Sequence, residues 1–267
     1  MADRKGSGML EVEDVRVTYK VAGGGRLTAV DGVSLHVARG EVLGLVGESG
    51  CGKSTIARAI CGLEPLAGGT ITFDGRPVRK LGFGRRDRHF LRVQMVFQNP
   101  YASLNPRRTV ATQIRDGLRI APDQGRWTVD RLLDAVELPR AAAGKYPHEF
   151  SGGQRQRIAI ARAVAAGPDL LIGDEPIASL DASLQSRIAE LMRRLALDSD
   201  AGLLFISHDL AVVRVIADRV CVMNAGRVVE SGAIERVWHE PEDDYTRRLL
   251  AAIPLVDGKG TLPAIGD

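Results

Sequence analysis

The run Gly47-Glu48-Ser49-Gly50-Cys51-Gly52-Lys53-Ser54 constrains this chain more than any other feature. It fits G-x-x-x-x-G-K-[ST], the spacing of a loop that wraps phosphate. Val42, Leu43, Leu45 and Val46 precede it as a short buried strand, and residues 55–61 read as the helix that follows. Glycines let successive backbone N–H groups turn inward around phosphate oxygens. The helix N-terminus adds unpaired donors and a dipole that favours an anion. Lys53 is placed to neutralise the β- and γ-phosphates and Ser54 to ligate Mg²⁺; Thr55 completes the candidate set. The alternative is a chance glycine-rich βα turn, which the full motif match with strand and helix in place disfavours. The loop alone still fits a GTPase, a small-molecule kinase or an ATPase.

The rest of the chain supports an α/β domain. Residues 11–19 alternate apolar and polar like a half-exposed strand, and Gly23, Gly24 and Gly25 read as a turn. Strands are expected at 70–73, 93–97, 170–172, 203–206 and 220–223. From about 109 to 165 the period turns helical, with Val110, Ile114 and Leu118 on one face and Val129, Leu132, Leu133 and Val136 on another. Prolines 100, 106, 122, 139 and 147 punctuate this part, which reads as a helical sub-domain inserted into the α/β core. Leu184, Ile188, Leu191, Met192 and Leu195 mark an amphipathic helix, and residues 242–253 one more.

The 267 residues suit one large domain with a modest sub-domain. The net charge of +3 is spread among interspersed acids, which argues against nucleic acid as a partner. Cys51, Cys61 and Cys221 have neither metal-ligand nor disulfide spacing, as expected of a reduced cytosolic chain. No apolar signal core follows the polar start, and no run approaches the roughly 18–20 apolar residues that span a bilayer. A membrane role is therefore expected to be peripheral. Cys51, beside Lys53 and a helix start, is expected either to have a lowered thiol pKa and react with alkylating reagents or to be buried and inert, as free cysteines often are.

Leu170-Leu171-Ile172-Gly173-Asp174-Glu175 is an apolar run ending in two carboxylates. Ligands of open α/β sheets sit beyond the carboxyl ends of the strands, where Asp174 can meet Mg²⁺ and Glu175 can face an attacking water. Alone, the pair equally suits a plain acidic turn; the phosphate loop upstream favours chemistry. In Phe150-Ser151-Gly152-Gly153-Gln154, Ser151 and Gln154 form a capping box for a helix running to about Ala165. A structural cap does not explain Gly152 and Gly153, each about 1 kcal/mol worse than alanine in a helix. Backbone approaching an anion closely would explain them.

With Ser151-Gly152-Gly153-Gln154 the chain resembles ABC transporter ATPases, whose signature is Leu-Ser-Gly-Gly-Gln. The resemblance covers essentially the whole chain, with motifs in family order. It implies a P-loop ABC ATPase core, a mixed sheet with flanking helices and an antiparallel N-terminal β part, with an inserted α-helical sub-domain. The ATPase domain would span 9–254 (core about 9–98 and 166–240, helical part about 99–165), with a C-terminal extension at 241–267. Tyr19 matches the aromatic that stacks on adenine. Gln98 matches the glutamine that joins core to sub-domain and reaches Mg²⁺. Asp174 matches the magnesium carboxylate, Glu175 the general base, His208 the histidine at the γ-phosphate, and Asp181 a dimer contact. The residues from Gly47 to Thr55 would hold ATP in cis, and Ser151, Gly152, Gly153 and Gln154 in trans. Phe150 for leucine, Ile177 for threonine, and Ala178-Ser179-Leu180-Asp181 depart from the usual pattern without removing a catalytic group.

Phe97-Gln98-Asn99-Pro100-Tyr101-Ala102-Ser103-Leu104-Asn105-Pro106-Arg107 resembles the oligopeptide, dipeptide and nickel importer group. So does the tail around Tyr245-Thr246-Arg247, although Asp243-Asp244 replaces the usual His-Pro. Two prolines and two asparagines predict a rigid connector after Gln98 rather than a helix, with Tyr101 and Leu104 either as apolar contacts for a permease or packed inside the sub-domain. The resemblance implies a second ATPase subunit, identical or paralogous, two transmembrane permeases and an extracytoplasmic solute-binding protein, at the cytoplasmic face of the cell membrane. Peptide is the expected cargo, with nickel or another small solute as the alternative. A soluble ABC ATPase of DNA repair or translation would resemble a tandem chain or carry long insertions. A non-ABC P-loop kinase or GTPase would lack the signature.

Overall fold

Apolar runs with no polar interruption become strands buried on both faces. The computed structural model describes residues 9–21, 24–82, 84, 86–121, 126–178 and 180–253. The polar start, Gly23, Pro122, Ser179 and the end from Pro254 lie outside the described residues.

Two sheets form the framework. The first is antiparallel, in the order β2-β1-β4-β5, from β1 (Leu10–Lys20), β2 (Arg26–Val37), β4 (Gly68–Phe73) and β5 (Arg76–Pro77). The alternation of β1 breaks at Asp14, whose φ of 46° marks a bulge between Val12 and Val15, both buried. The second sheet has six strands, in the order β10-β9-β3-β8-β7-β6. They are β3 (Val42–Val46), β6 (Val93–Val96), β7 (Leu170–Asp174), β8 (Gly202–Ser207), β9 (Arg219–Asn224) and β10 (Arg227–Ala233). All neighbours pair parallel except β10 with β9. Strands β3, β7 and β8 are buried at every residue, matching their unbroken apolar character.

Helices cover the sheets. α1 (Lys53–Ile60) follows the phosphate loop. α2 (Val110–Leu118), α3 (Val129–Ala135) and α4 (Gly152–Ala165) fill the helical stretch expected between 109 and 165, with short 3₁₀ turns at Arg140–Gly144 and Pro147–Glu149. Helices α2 and α4 approach closely because Gly117 lacks a side chain: a Cβ there would lie 2.7 Å from Ala165 Cβ. α5 (Ala182–Leu197) and α6 (Leu210–Ile216) pack beside β8. α7 (Ile234–His239) and α8 (Asp244–Ala251) close the described chain. One apolar cluster runs from β3 and β8 through α4, α5 and α6 into α2 and α3; a second lies between the two sheets and α1.

The connector after Gln98 is irregular as expected, with a 3₁₀ turn at Pro100–Ala102 and no α-helix before Val110. Its side chains correct one expectation. Leu104 is not a surface contact: it is 4% exposed and belongs to the larger core cluster. The Asn105 amide donates to Gln113 Oε1 across 2.8 Å, which folds the connector back onto α2 and turns its apolar neighbour inward. Tyr101 remains exposed, with the Arg155 guanidinium 4.4 Å from its ring centre.

Candidate functional site

The phosphate loop leaves β3 at Gly47, where φ is 150°, and enters α1 through Gly52, where φ is 107°. Both positions exclude a side chain by contact as well as conformation: a Cβ on Gly47 would collide with the Met223 carbonyl oxygen, and one on Gly52 with that of Ala29. No side chain caps α1, so the helix start keeps its backbone donors for an anion. Lys53 is 3% exposed. Its ammonium donates to Gly47 O at 2.7 Å and Glu48 O at 2.8 Å, and lies 3.7 Å from Glu175 Oε1. Glu48, Ser49 and Gly50 are exposed along the loop, and Thr55 is half-buried in the first turn of α1.

Parallel pairing carries Asp174 and Glu175 to this loop. Ser54 Oγ donates to Asp174 Oδ1 across 2.7 Å. Asp174 is buried, and burial pushes its carboxyl above the ordinary range despite the Ser54 hydrogen bond and the nearby Arg58. Glu175 takes the left-handed region, φ 46°, with its amide bonded to Ile206 O at 3.1 Å. A non-glycine residue held there marks local strain, which clusters at functional sites.

Three groups converge on the Glu175 carboxylate. Lys53 approaches Oε1, while Gln98 Nε2 and His208 Nδ1 each lie 3.5 Å from Oε2. His208 is aimed by its neighbour: Asp209 caps α6 by accepting from the amides of Ala211 and Val212, and its own amide donates to Ser207 Oγ. Four of the residues picked out in the sequence, Lys53, Gln98, Glu175 and His208, thus meet in one place, with Ser54 and Asp174 beside them.

Among the described residues, no group of three or more His, Cys, Asp or Glu could hold a metal. Ser54 offers a hydroxyl, Asp174 a carboxylate and Gln98 an amide, with the Glu175 carboxylate beside them. That set suits Mg²⁺, which binds through one or two carboxylates together with nucleotide phosphates rather than in an all-protein cage.

The reactive alternative for Cys51 is corrected. The thiol is buried, and loss of solvent pushes its pKa up against the pull of Lys53. Proximity to the ammonium therefore yields no reactive thiolate, because desolvation outweighs it.

The other residues take separate positions. Tyr19 is half-buried near the end of β1, opposite Leu27. Ser151 and Gln154 form the expected capping box of α4: the Ser151 amide donates to Gln154 Oε1 at 3.0 Å and the Gln154 amide to Ser151 Oγ at 3.4 Å. The two glycines between them differ. A Cβ on Gly153 would collide with Leu184 of α5, whereas one on Gly152 meets nothing within 4 Å. Gly153 thus has a packing reason that the sequence did not disclose. Asp181 caps α5 by accepting from the Leu184 amide at 3.0 Å.

Two residues near the site escaped the sequence reading. Gln156 is buried and donates to Phe97 O at 3.4 Å, tying α4 to the backbone beside Gln98. The Tyr245 hydroxyl accepts from the Glu48 amide at 3.0 Å. A polar side chain on the buried face of α4 was a usable signal for Gln156. No local pattern connects Tyr245 to the loop.

Residues 30–178 match the ABC transporter family. The chain is 44% identical to the oligopeptide transport ATP-binding protein OppF of Lactococcus lactis, over 94% of this chain and 82% of that protein. Among solved structures it resembles CbiO1 of Clostridium perfringens, part of the ABC transporter complex CbiONQ, with TM-score 0.73 and 28% identity over 88% of this chain and 92% of that one. It also resembles the ATP-binding cassette MJ0796, a dimer in a post-hydrolysis state bound to ADP and Pi, with TM-score 0.70 and 26% identity over 85% of this chain and 99% of that one.

Proposed function

Because this chain belongs to the ABC transporter family of ATP-binding cassettes, we propose that it powers uptake of short peptides by closing on ATP as half of a dimer coupled to membrane permeases. The convergence of Lys53, Gln98 and His208 on the Glu175 carboxylate, next to the Ser54–Asp174 bond, carries the reading. The peptide cargo rests on the similarity to OppF.

In this reading residues 9–254 form the ATPase domain, with a core at about 9–98 and 166–240, a helical sub-domain at about 99–165 and an extension from 241. Tyr19 stacks on adenine. The backbone from Gly47 to Thr55 wraps the phosphates, and Lys53 exchanges loop carbonyls for phosphate oxygens. Ser54, Asp174 and Gln98 hold Mg²⁺, which when bound neutralises charge on the β- and γ-oxygens. Glu175 accepts the proton of the attacking water, and His208 holds the γ-phosphate. Ser151, Gly152, Gly153 and Gln154 reach the same nucleotide from the partner's side, and Asp181 lies along that contact.

A ligand shifts a two-state equilibrium only by binding one state better. ATP that touches both chains does so in the closed dimer alone. Losing the shared γ-phosphate removes that advantage, the halves part, and permeases seated near Gln98 and Tyr101 follow. Among the described residues no helix is long and apolar enough to cross a membrane. As the ATP-binding subunit of a membrane transporter, the chain sits in this reading peripherally on the cytoplasmic face, beneath two permeases fed by a solute-binding protein.

Deleting the gene in its native host is expected to abolish growth on di- or oligopeptides as sole source of an essential amino acid. Unimpaired peptide uptake, with no second ATPase able to substitute, would overturn the cargo and leave the ATPase standing. Co-purification from native membranes would identify the permeases and show whether the partner ATPase is identical.

A further inference from the structure

The Tyr245 hydroxyl and the Lys53 ammonium grip opposite edges of one peptide unit. The bond joining Gly47 to Glu48 presents its carbonyl to Lys53 Nζ at 2.7 Å and its N–H to Tyr245 Oη at 3.0 Å. A peptide unit is planar and rigid, so bonds at both edges fix its rotation. This peptide opens the phosphate loop, and Gly47 at φ 150° is packed too tightly against the Met223 carbonyl to carry a side chain.

The tyrosine is itself firmly set. Its ring is 7% exposed and belongs to the larger core cluster. Burial also raises its phenol above the ordinary value, so the hydroxyl stays neutral. Glu230 on β10 anchors the start of α8 by accepting from the amides of Glu242 at 3.0 Å and Asp243 at 3.1 Å. Burial pushes the Glu230 carboxyl up, but those two amides, helped by the nearby Arg236 charge, outweigh it and hold it below its usual range. Asp243 then accepts from the Tyr245 amide at 2.8 Å, which orients the first turn.

We propose that Tyr245 is a positioning residue for nucleotide binding, through which α8 presets the phosphate loop. The inference rests on the nucleotide-site reading above. The Lys53 ammonium has three N–H donors, and a phosphate drawn to it competes with Gly47 O for them. The Tyr245 hydroxyl, bonded to the other edge, holds the peptide in the shape that receives the phosphate whether or not the lysine keeps its own bond.

The test compares full-length wild type with Tyr245→Phe, Tyr245→Leu and Lys53→Ala. The readouts are Mg-ATP affinity, saturated turnover, melting temperature and exchange of the Glu48 amide. Phenylalanine keeps the buried ring and removes only the acceptor. Tyr245→Phe is expected to weaken Mg-ATP binding about three- to tenfold, the worth of one hydrogen bond. Its turnover at saturation should stay within about twofold, the mark of lost ground-state positioning. The Glu48 amide should exchange faster, and only Tyr245→Leu should melt much lower. Wild-type affinity in Tyr245→Phe would overturn the inference alone. Unchanged Mg-ATP binding in Lys53→Ala would overturn the site reading and the inference with it.

Discussion

Ser54 and Asp174 share a 2.7 Å hydrogen bond although 120 residues separate them, and that bond joins the phosphate loop to the end of β7. Asp174 is buried and its carboxyl is raised chiefly by desolvation. A carboxyl whose folded pKa is raised contributes stability that is complete below its unfolded value, near 3.8, and lost as pH rises through the folded value. At neutral pH the ionised Asp174 therefore costs stability. Asp174→Asn keeps an acceptor for Ser54 and removes the charge. The nucleotide-free variant is expected to melt above wild type at neutral pH, with the gap closing as pH falls toward 3.8, and to lose Mg²⁺-dependent turnover. Melting curves across pH check the first part and ATPase assays the second. A lower melting temperature at neutral pH would contradict this account.

Glu175 is the second case. Replacing it with glutamine preserves shape and the contacts of Gln98 and His208 but removes the proton acceptor. Turnover is expected to fall by about 10²- to 10⁴-fold, the usual worth of general-base catalysis. ATP binding should persist, and the variant should accumulate as an ATP-bound dimer by size-exclusion chromatography. Wild-type turnover would sink the general-base assignment.

Much of this site was legible because its chemistry is written in local spacing. The phosphate loop, the Asp174–Glu175 pair and the capping box each depend on neighbours a few residues apart. Strands β3, β7 and β8 showed as unbroken apolar runs. Strand β2 did not, because Asp31 and Gly32 interrupt its alternation where its register to β1 shifts. Helix α6 was hidden by length: seven mostly apolar residues soon after a buried strand carry no readable period. The burial of Leu104 and Cys51 and the packing of Gly153 were not legible in local spacing. Leu104 is turned inward where Asn105 bonds Gln113, eight residues on, and Gly153 faces Leu184 of the next helix. The contact between Tyr245 and Glu48, 197 residues apart, lies wholly beyond local pattern.

The thiols give a prediction opposite in sign to the one their sequence context suggests. Cys51, Cys61 and Cys221 are all buried; Cys61 is pushed to about 12 and Cys221 to about 11, both by burial. Alkylation depends on thiolate and access together. In the native protein at neutral pH, labelling is expected to run at least about tenfold slower than in the denatured chain, where all three thiols react. Mass spectrometry of timed samples measures this directly. Rapid labelling of Cys51 in the folded protein would restore the reactive-loop reading.

The last prediction separates the two signature glycines. Gly153→Ala places a methyl against Leu184 Cδ2, the far end of a half-buried side chain that must turn aside, a cost at the low end of the about 1–3 kcal/mol of overpacking and partly offset by up to about 1 kcal/mol of helix propensity. Gly152→Ala meets nothing within 4 Å among the described residues, so the same propensity term acts unopposed. Gly152→Ala should therefore melt at or above wild type, and Gly153→Ala below Gly152→Ala. Turnover should part from stability in Gly152→Ala. If the Gly152 backbone lies against phosphate in the partner's site, a methyl there holds the nucleotide off, and ATPase activity falls while the monomer fold is intact. The pair is read by melting temperature and ATPase rate on the same preparations. Full activity in Gly152→Ala would leave that glycine without a role across the dimer.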